Sequence, residues 1–212
     1  RQRMACCASN TRGIGAMGYT SSFETSIRYI TFASQGTVDA DVTTSFGTVT
    51  GSGRNRACGA SNQTRGLFIG GNPSTTNITY ITIAATGDSI DFGDLTIGRQ
   101  GLEAMASSTR AVVAGGWSDI SPYNPGTYIN TVDYVTISTT GNALDFCDST
   151  TETVLEGGAC SNSTRGLFAG GYAPGPSVKK NIDHFTLATL GSVTDFGDLS
   201  TGRRDHGAAS SP

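Results

Sequence analysis

The feature that constrains this chain most is that it repeats itself. Thr-Arg-Gly recurs as Thr11-Arg12-Gly13, Thr64-Arg65-Gly66 and Thr164-Arg165-Gly166, with Thr109-Arg110-Ala111 as a near copy, at intervals of 53, 45 and 55 residues. Each later copy runs into an apolar stretch closed by two glycines: Leu67 to Gly71, Val112 to Gly116 and Leu167 to Gly171. A second block is β-branched and aromatic, centred on Tyr29, Tyr80, Tyr134 and, in the fourth copy, His184. A third block holds Phe46, Phe92, Phe146 and Phe196, preceded by Asp91, Asp145 and Asp195 in the last three copies. Repetition at this period means one supersecondary unit stacked on the next.

Thr, Ser, Gly, Val, Ile and aromatics dominate, with only two lysines and four glutamates in 212 residues, so each unit reads as strands and turns rather than helices. Four short strands fit into each unit of about 45–50 residues, which is the arithmetic of a β-propeller blade. A solenoid repeat is usually shorter, and a sandwich would not repeat its sequence. The expected architecture is an all-β propeller of four-stranded antiparallel blades: 1–53, 54–98, 99–153 and 154–202, with 203–212 opening a fifth unit. Pro212 falls at the place of the turn threonines, so the last residues read as a surplus first strand and the chain as an excerpt of a longer array.

The Gly-Gly pairs, the tyrosine strand, the aromatic in the last strand, and Arg54 and Arg99 eleven residues before each turn arginine resemble kelch repeats, with Phe where Trp is usual. The wording Thr164 to Tyr172 and Thr194 to Leu199 is similar to repeat arrays in virion and tail-fibre proteins of tailed phages, notably those of cyanobacteria. That resemblance covers essentially the whole chain. It implies a virion or extracellular location and a non-enzymatic structural or adhesive role, with virion or fibril proteins, a host-surface receptor or a glycan as partners. A homo-oligomer is expected. A microbial extracellular fibril and a glycan-processing enzyme on the same scaffold are the alternatives.

Net charge is −3, with 14 basic against 17 acidic side chains, which gives no basic footprint for nucleic acid. No apolar run approaches the roughly 18 residues that cross a membrane as a helix. The five cysteines (Cys6, Cys7, Cys58, Cys147 and Cys160) form no CxxC and read as core filler. Asp91, Asp145 and Asp195 suggest turn caps for backbone donors, and the following phenylalanines are wedges between blades. With Asp94, Asp148 and Asp198 the same aspartates give an Asp-x-x-Asp spacing, too few oxygens for calcium unless carbonyls complete the shell. Arg12, Arg65, Arg110 and Arg165 suit a ring of bonds to carboxylates or carbonyls.

No nucleophile elbow, phosphate loop or copper ligand set is present, so neither a cofactor nor a metal is expected. His184 reads as an aromatic substitute in its strand, and His206 lies in a loose segment. Asn62, Asn77 and Asn162 stand in sequons that matter only in a glycosylating host. Asp119, Glu152 and Glu156 break the repeat, as a catalytic acid would. The long loop Trp117 to Tyr128 also breaks it, with the only Trp, Tyr123, Pro122 and Pro125. Strand parity puts it on one face with Phe23, Tyr172, Lys179, Lys180, Arg54 and Arg99. That face is the expected contact surface, with Trp117 its anchor.

Overall fold

The computed structural model describes residues 2–33, 44–123, 125–149, 156–173, 177–191, 193–208 and 210. Every described element is a strand, and each four-stranded sheet is built from one sequence repeat. The first sheet holds β1 (Ala5–Ala8), β2 (Arg12–Ala16), β3 (Ser26–Thr31) and β4 (Thr44–Thr48). The second holds β5 (Cys58–Ser61), β6 (Arg65–Ile69), β7 (Thr75–Thr82) and β8 (Ile90–Arg99). In the third, β9 (Glu103–Ala106) and β10 (Arg110–Ala114) are followed by a two-stranded hairpin, β11 (Trp117–Ser118) with β12 (Thr127–Tyr128), then β13 (Thr131–Thr136) and β14 (Leu144–Asp148). The fourth repeats this with β15 (Gly158–Ser161), β16 (Arg165–Ala169), the small hairpin β17 (Tyr172–Ala173) and β18 (Ser177–Val178), β19 (Asn181–Thr186) and β20 (Thr194–Asp198).

All ladders are antiparallel and strand order follows the sequence within each sheet. A parallel solenoid and a sandwich mixing strands from different repeats are both excluded. The first strands β1, β5, β9 and β15 lie side by side in that order. The largest length differences fall between the second and third strands, where the two small hairpins are inserted, and the first unit is also longer between its third and fourth strands.

The apolar runs are continuous rather than alternating because a middle sheet is covered on both faces. Phe68 and Ile81 of the second sheet pack with Ile14, Ile27 and Phe46 of the first. Leu67, Ile69 and Phe92 turn the other way, onto Val113, Val135 and Ile137 of the third. Val112 and Phe146 then meet Phe168, Phe185 and Leu187 of the fourth. The interior is thus three separate seams.

The phenylalanine wedges follow from that arrangement, with one correction. Phe46, Phe92 and Phe146 are buried, but Phe196 is 59% exposed, since no sheet follows it among the described residues. The tyrosine of each unit meets its phenylalanine edge-on, at 5.9 Å for Tyr29–Phe46, 6.0 Å for Tyr80–Phe92 and 6.0 Å for Tyr134–Phe146. His184 does take the tyrosine position, tilted against Phe196 at 6.4 Å with Nδ1 3.1 Å from Thr194 Oγ1.

The aspartate assignment also needs correcting. Asp91 and Asp145 lie inside β8 and β14 instead of capping a turn; only Asp195 accepts a local backbone donor, Gly197 N at 3.0 Å. The side chains that work at this turn are Asp88, which accepts from Thr48 N (2.8 Å) and Oγ1 (2.9 Å), and Asn142, which accepts from Asp94 N (3.1 Å). Both tie a unit to the last strand of the one before it. The turn arginines bond to carbonyls of the following unit rather than to carboxylates: Arg12 to Ile83 O (2.8 Å), Arg65 to Ile137 O (3.1 Å) and Arg110 to Leu187 O (2.8 Å). Asn62 and Asn162 close their own turns through Oδ1, whereas Asn77 is half-buried in β7, an unsuitable place for a sugar. All five cysteines are unpaired thiols.

Candidate binding site beside an ionic ladder

Before each first strand the chain makes the same backbone excursion. Arg3, Arg56, Gly101, Glu156 and Asp205 all have left-handed φ, between 53° and 66°. They are spaced like the repeats, so they are one position seen five times. Four of the five carry a Cβ, at a cost of order 1 kcal/mol or more each. The offset is a hydrogen-bond ladder. Arg56 N donates to Arg3 O (3.2 Å), Gly101 N to Arg56 O (2.8 Å), Glu156 N to Gly101 O (3.0 Å) and Asp205 N to Glu156 O (3.0 Å). Asp205 therefore repeats the position that opens each unit, and Ser161 N donates to Ser210 Oγ at 2.8 Å.

The ladder side chains form an ionic cluster. Glu156 Oε1 lies 3.2 Å from Arg3 and 3.3 Å from Arg56 Nε, Asp205 is 3.9 Å from Arg3, and Arg56 donates to Gln100 Oε1 at 3.2 Å. Beneath it is a pocket of about 300 Å³ lined by Met4, Cys6, Cys58, Glu103 and His206. Burial, with Glu156 adding to it, pushes the Glu103 carboxyl up to about 8. Burial and Arg203 lower His206, whose ring fills the space a side chain on Gly158 would need. Among the described residues no three His, Cys, Asp or Glu groups come together as a metal set.

Tyr128, Tyr172 and Arg204 stand beside this cluster. Arg204 lies 5.0 Å over the Tyr172 ring, and Tyr128 is raised by burial and by Tyr172, with Arg204 opposing. Trp117 pairs with Tyr128 across the β11–β12 ladder and lays its indole over Gly126. Antiparallel order puts these hairpins at the same end of the sheets as the ladder. The structure thus pairs Trp117 with Tyr128 and brings Tyr128 within electrostatic reach of Tyr172, while Phe23 packs edge-on to Tyr19 at 5.5 Å. Tyr123 is half-buried, Lys180 is paired with Asp198 at 2.7 Å, and Glu152 lies outside the described residues.

Arg54 and Arg99 are corrections. Expected at the contact surface, they are 4% and 0% exposed and serve packing instead. Arg99 is held by Asp133 (3.2 Å), Thr131 O (2.8 Å) and Val113 O (3.4 Å). Its own carbonyl accepts from Gly71 N at 3.0 Å, where Gly71 has φ 123° and no room for a Cβ between Asn55 and Ala57. The ladder itself was missed in the sequence. Its signal is the tripeptide series Arg1-Gln2-Arg3, Arg54-Asn55-Arg56 and Arg99-Gln100-Gly101 at the repeat spacing.

A larger cleft of about 1330 Å³ opens between the free face of the first sheet (Arg28, Ile30, Phe32) and the first strands of the others. It marks a gap between the first and fourth sheets, not a built site.

No protein-family model and no curated protein sequence matches this chain. Among solved structures, one titled "Structure of YjhT" superposes with a TM-score of 0.74 at 10% identity, over 95% of this chain and 66% of that one. At that identity the likeness shows the fold alone. The chain spans just under two thirds of that structure.

Proposed function

We propose that the four sheets are kelch-like blades of a β-propeller, and that this propeller is a non-enzymatic adhesive segment of a phage virion or tail fibre. The single observation that carries the binding role is the chain of neighbours Trp117–Tyr128, Tyr128–Tyr172 and Tyr172–Arg204 beside the ionic ladder. Flat aromatic faces beside an arginine suit the apolar faces and hydroxyls of sugars, or a receptor loop. The side-by-side first strands and the five-fold recurrence of the ladder support a propeller, with the gap between first and fourth sheets as the place of ring closure. The virion assignment rests on the repeat wording at Thr164–Tyr172 and Thr194–Leu199. The test is adsorption to host cells, and binding to a panel of surface polysaccharides, by a Trp117→Ala, Tyr128→Ala double variant that stays folded. Loss of binding is the expected result; undiminished binding moves the function off this face.

A second reading, a glycan-processing enzyme, draws support from Glu103 and Glu156. One is a carboxylic acid that keeps its proton near neutral pH, and the other is held beside two arginines, the kind of division of roles that acid catalysis of glycosides uses. Turnover of a bound glycan that Glu103→Gln abolishes without loss of binding would favour it.

A further inference from the structure

Two of the buried arginines occupy the same place in successive seams, and only one has a counter-ion. Arg99 and Arg54 each give their carbonyl to a glycine of the preceding unit, Gly71 at 3.0 Å and Gly18 at 2.8 Å. Each points Nη1 at a backbone carbonyl of its own unit's third strand, Thr131 at 2.8 Å and Asn77 at 3.3 Å. Two residues along that strand, on the same face, stand Asp133 and Thr79, 0% and 1% exposed. In the later seam Asp133 takes Arg99 Nη2 at 3.2 Å and also the N (3.1 Å) and Oγ1 (2.6 Å) of Thr96. In the earlier seam the carboxylate is gone. Arg54 Nε and Nη2 and Thr79 Oγ1 have no hydrogen-bond partner among the described residues. Thr50, the counterpart of Thr96, turns to Ser89 instead, its N donating to Ser89 Oγ at 2.9 Å.

An arginine cannot shed its proton to escape burial, and an uncompensated charge is among the most costly things to bury. Water would supply hydrogen bonds to Arg54 but no negative charge. We propose that a small monovalent anion of halide size binds between Arg54 and Thr79, taking the place that Asp133 has beside Arg99. Arg54 Nε and Nη2 and the Thr79 hydroxyl are its donors. Asn77, on the same face of β7 with its Oδ1 also unpartnered, adds an NH2 donor once its amide is turned by half a rotation. The anion locks the first unit onto the second, so the site is one of assembly within the molecule.

The experiment is thermal unfolding at constant ionic strength, replacing sodium gluconate stepwise by sodium chloride or bromide. A ligand that binds only the folded state raises the midpoint with its concentration. The expected result is a saturable rise of the melting temperature with either halide. Bromide-soaked crystals should also show an anomalous peak beside Arg54 and none beside Arg99. Thr79→Asp, which copies the later seam, should melt in gluconate at least as high as the unaltered chain in saturating chloride, and lose the halide dependence. A melting temperature indifferent to halide, or a dependence that survives Thr79→Asp, overturns the site.

Discussion

Arg12 reaches across a seam to the carbonyl of Ile83, 2.8 Å away and 71 residues further on, while its guanidinium lies 4.6 Å over the ring of Tyr29 in its own sheet. Arg65 and Arg110 repeat both contacts, over Tyr80 at 4.5 Å and Tyr134 at 4.7 Å. Each arginine is thus a rivet fixed to one unit and fastened to the next. Losing Arg65 removes a charge-assisted bond and a ring contact, so Arg65→Ala is expected to cost about 2 kcal/mol. Arg65→Lys should recover only part of this, because an ammonium cannot lie flat on the ring while reaching the carbonyl. Denaturant unfolding of the two variants checks it.

The wedge phenylalanines supply an internal control. Phe92→Ala should cost about 3–5 kcal/mol as a core truncation. Phe196→Ala, at an exposed copy of the same position, should stay within about 0.5 kcal/mol. Equal losses at the two sites would show that Phe196 is covered in solution.

Glu103 sets a pH dependence. Its folded-state carboxyl titrates at about 8, above its ordinary value of 4.5, so the folded chain binds this proton more tightly than the unfolded chain. Stability from this group is fully present below about pH 4.5 and is lost as pH rises to about 8. Glu103→Gln should therefore be close to neutral at pH 4.5 and stabilising at pH 8.5, read as the midpoint of urea unfolding. A variant no more stable than the parent at high pH would refute the assignment.

Glu156 is the anion between Arg3 and Arg56, and its side chain is only 10% exposed. Replacing it by Gln leaves two cations without their shared partner. A loss of roughly 1–3 kcal/mol is expected, and it should shrink in high salt as repulsion between the arginines is screened. Salt titration of the melting temperature measures it.

Sequence reading reached the units, their strand content and the seam-filling role of the first three phenylalanines, because those depend on residue type and spacing. It also gathered Trp117, Tyr128 and Tyr172 on one face by strand parity alone. It failed where burial decides. Strand parity puts Arg54 and Arg99 at the edge of the contact face, yet both side chains are buried, and Gly71 and Asp133 draw Arg99 into the seam. Asp91 was made a turn cap on its wording, whereas the neighbouring Asp88, three residues earlier and less regular in the repeat, holds Thr48. The left-handed ladder was hidden because its residues share a conformation and a carbonyl bond rather than a side-chain type.

The division of the interior into three seams has a mechanical consequence. Among the described residues no common centre joins the seams, so damage at Phe46 and damage at Phe146 lie in different compartments and their costs should add. The chain then behaves as a row of tiles, each held upright by its neighbours and weakest wherever a tile has only one. Under a pull on its ends it should come apart from the rims inward, with the second and third units the last to stand.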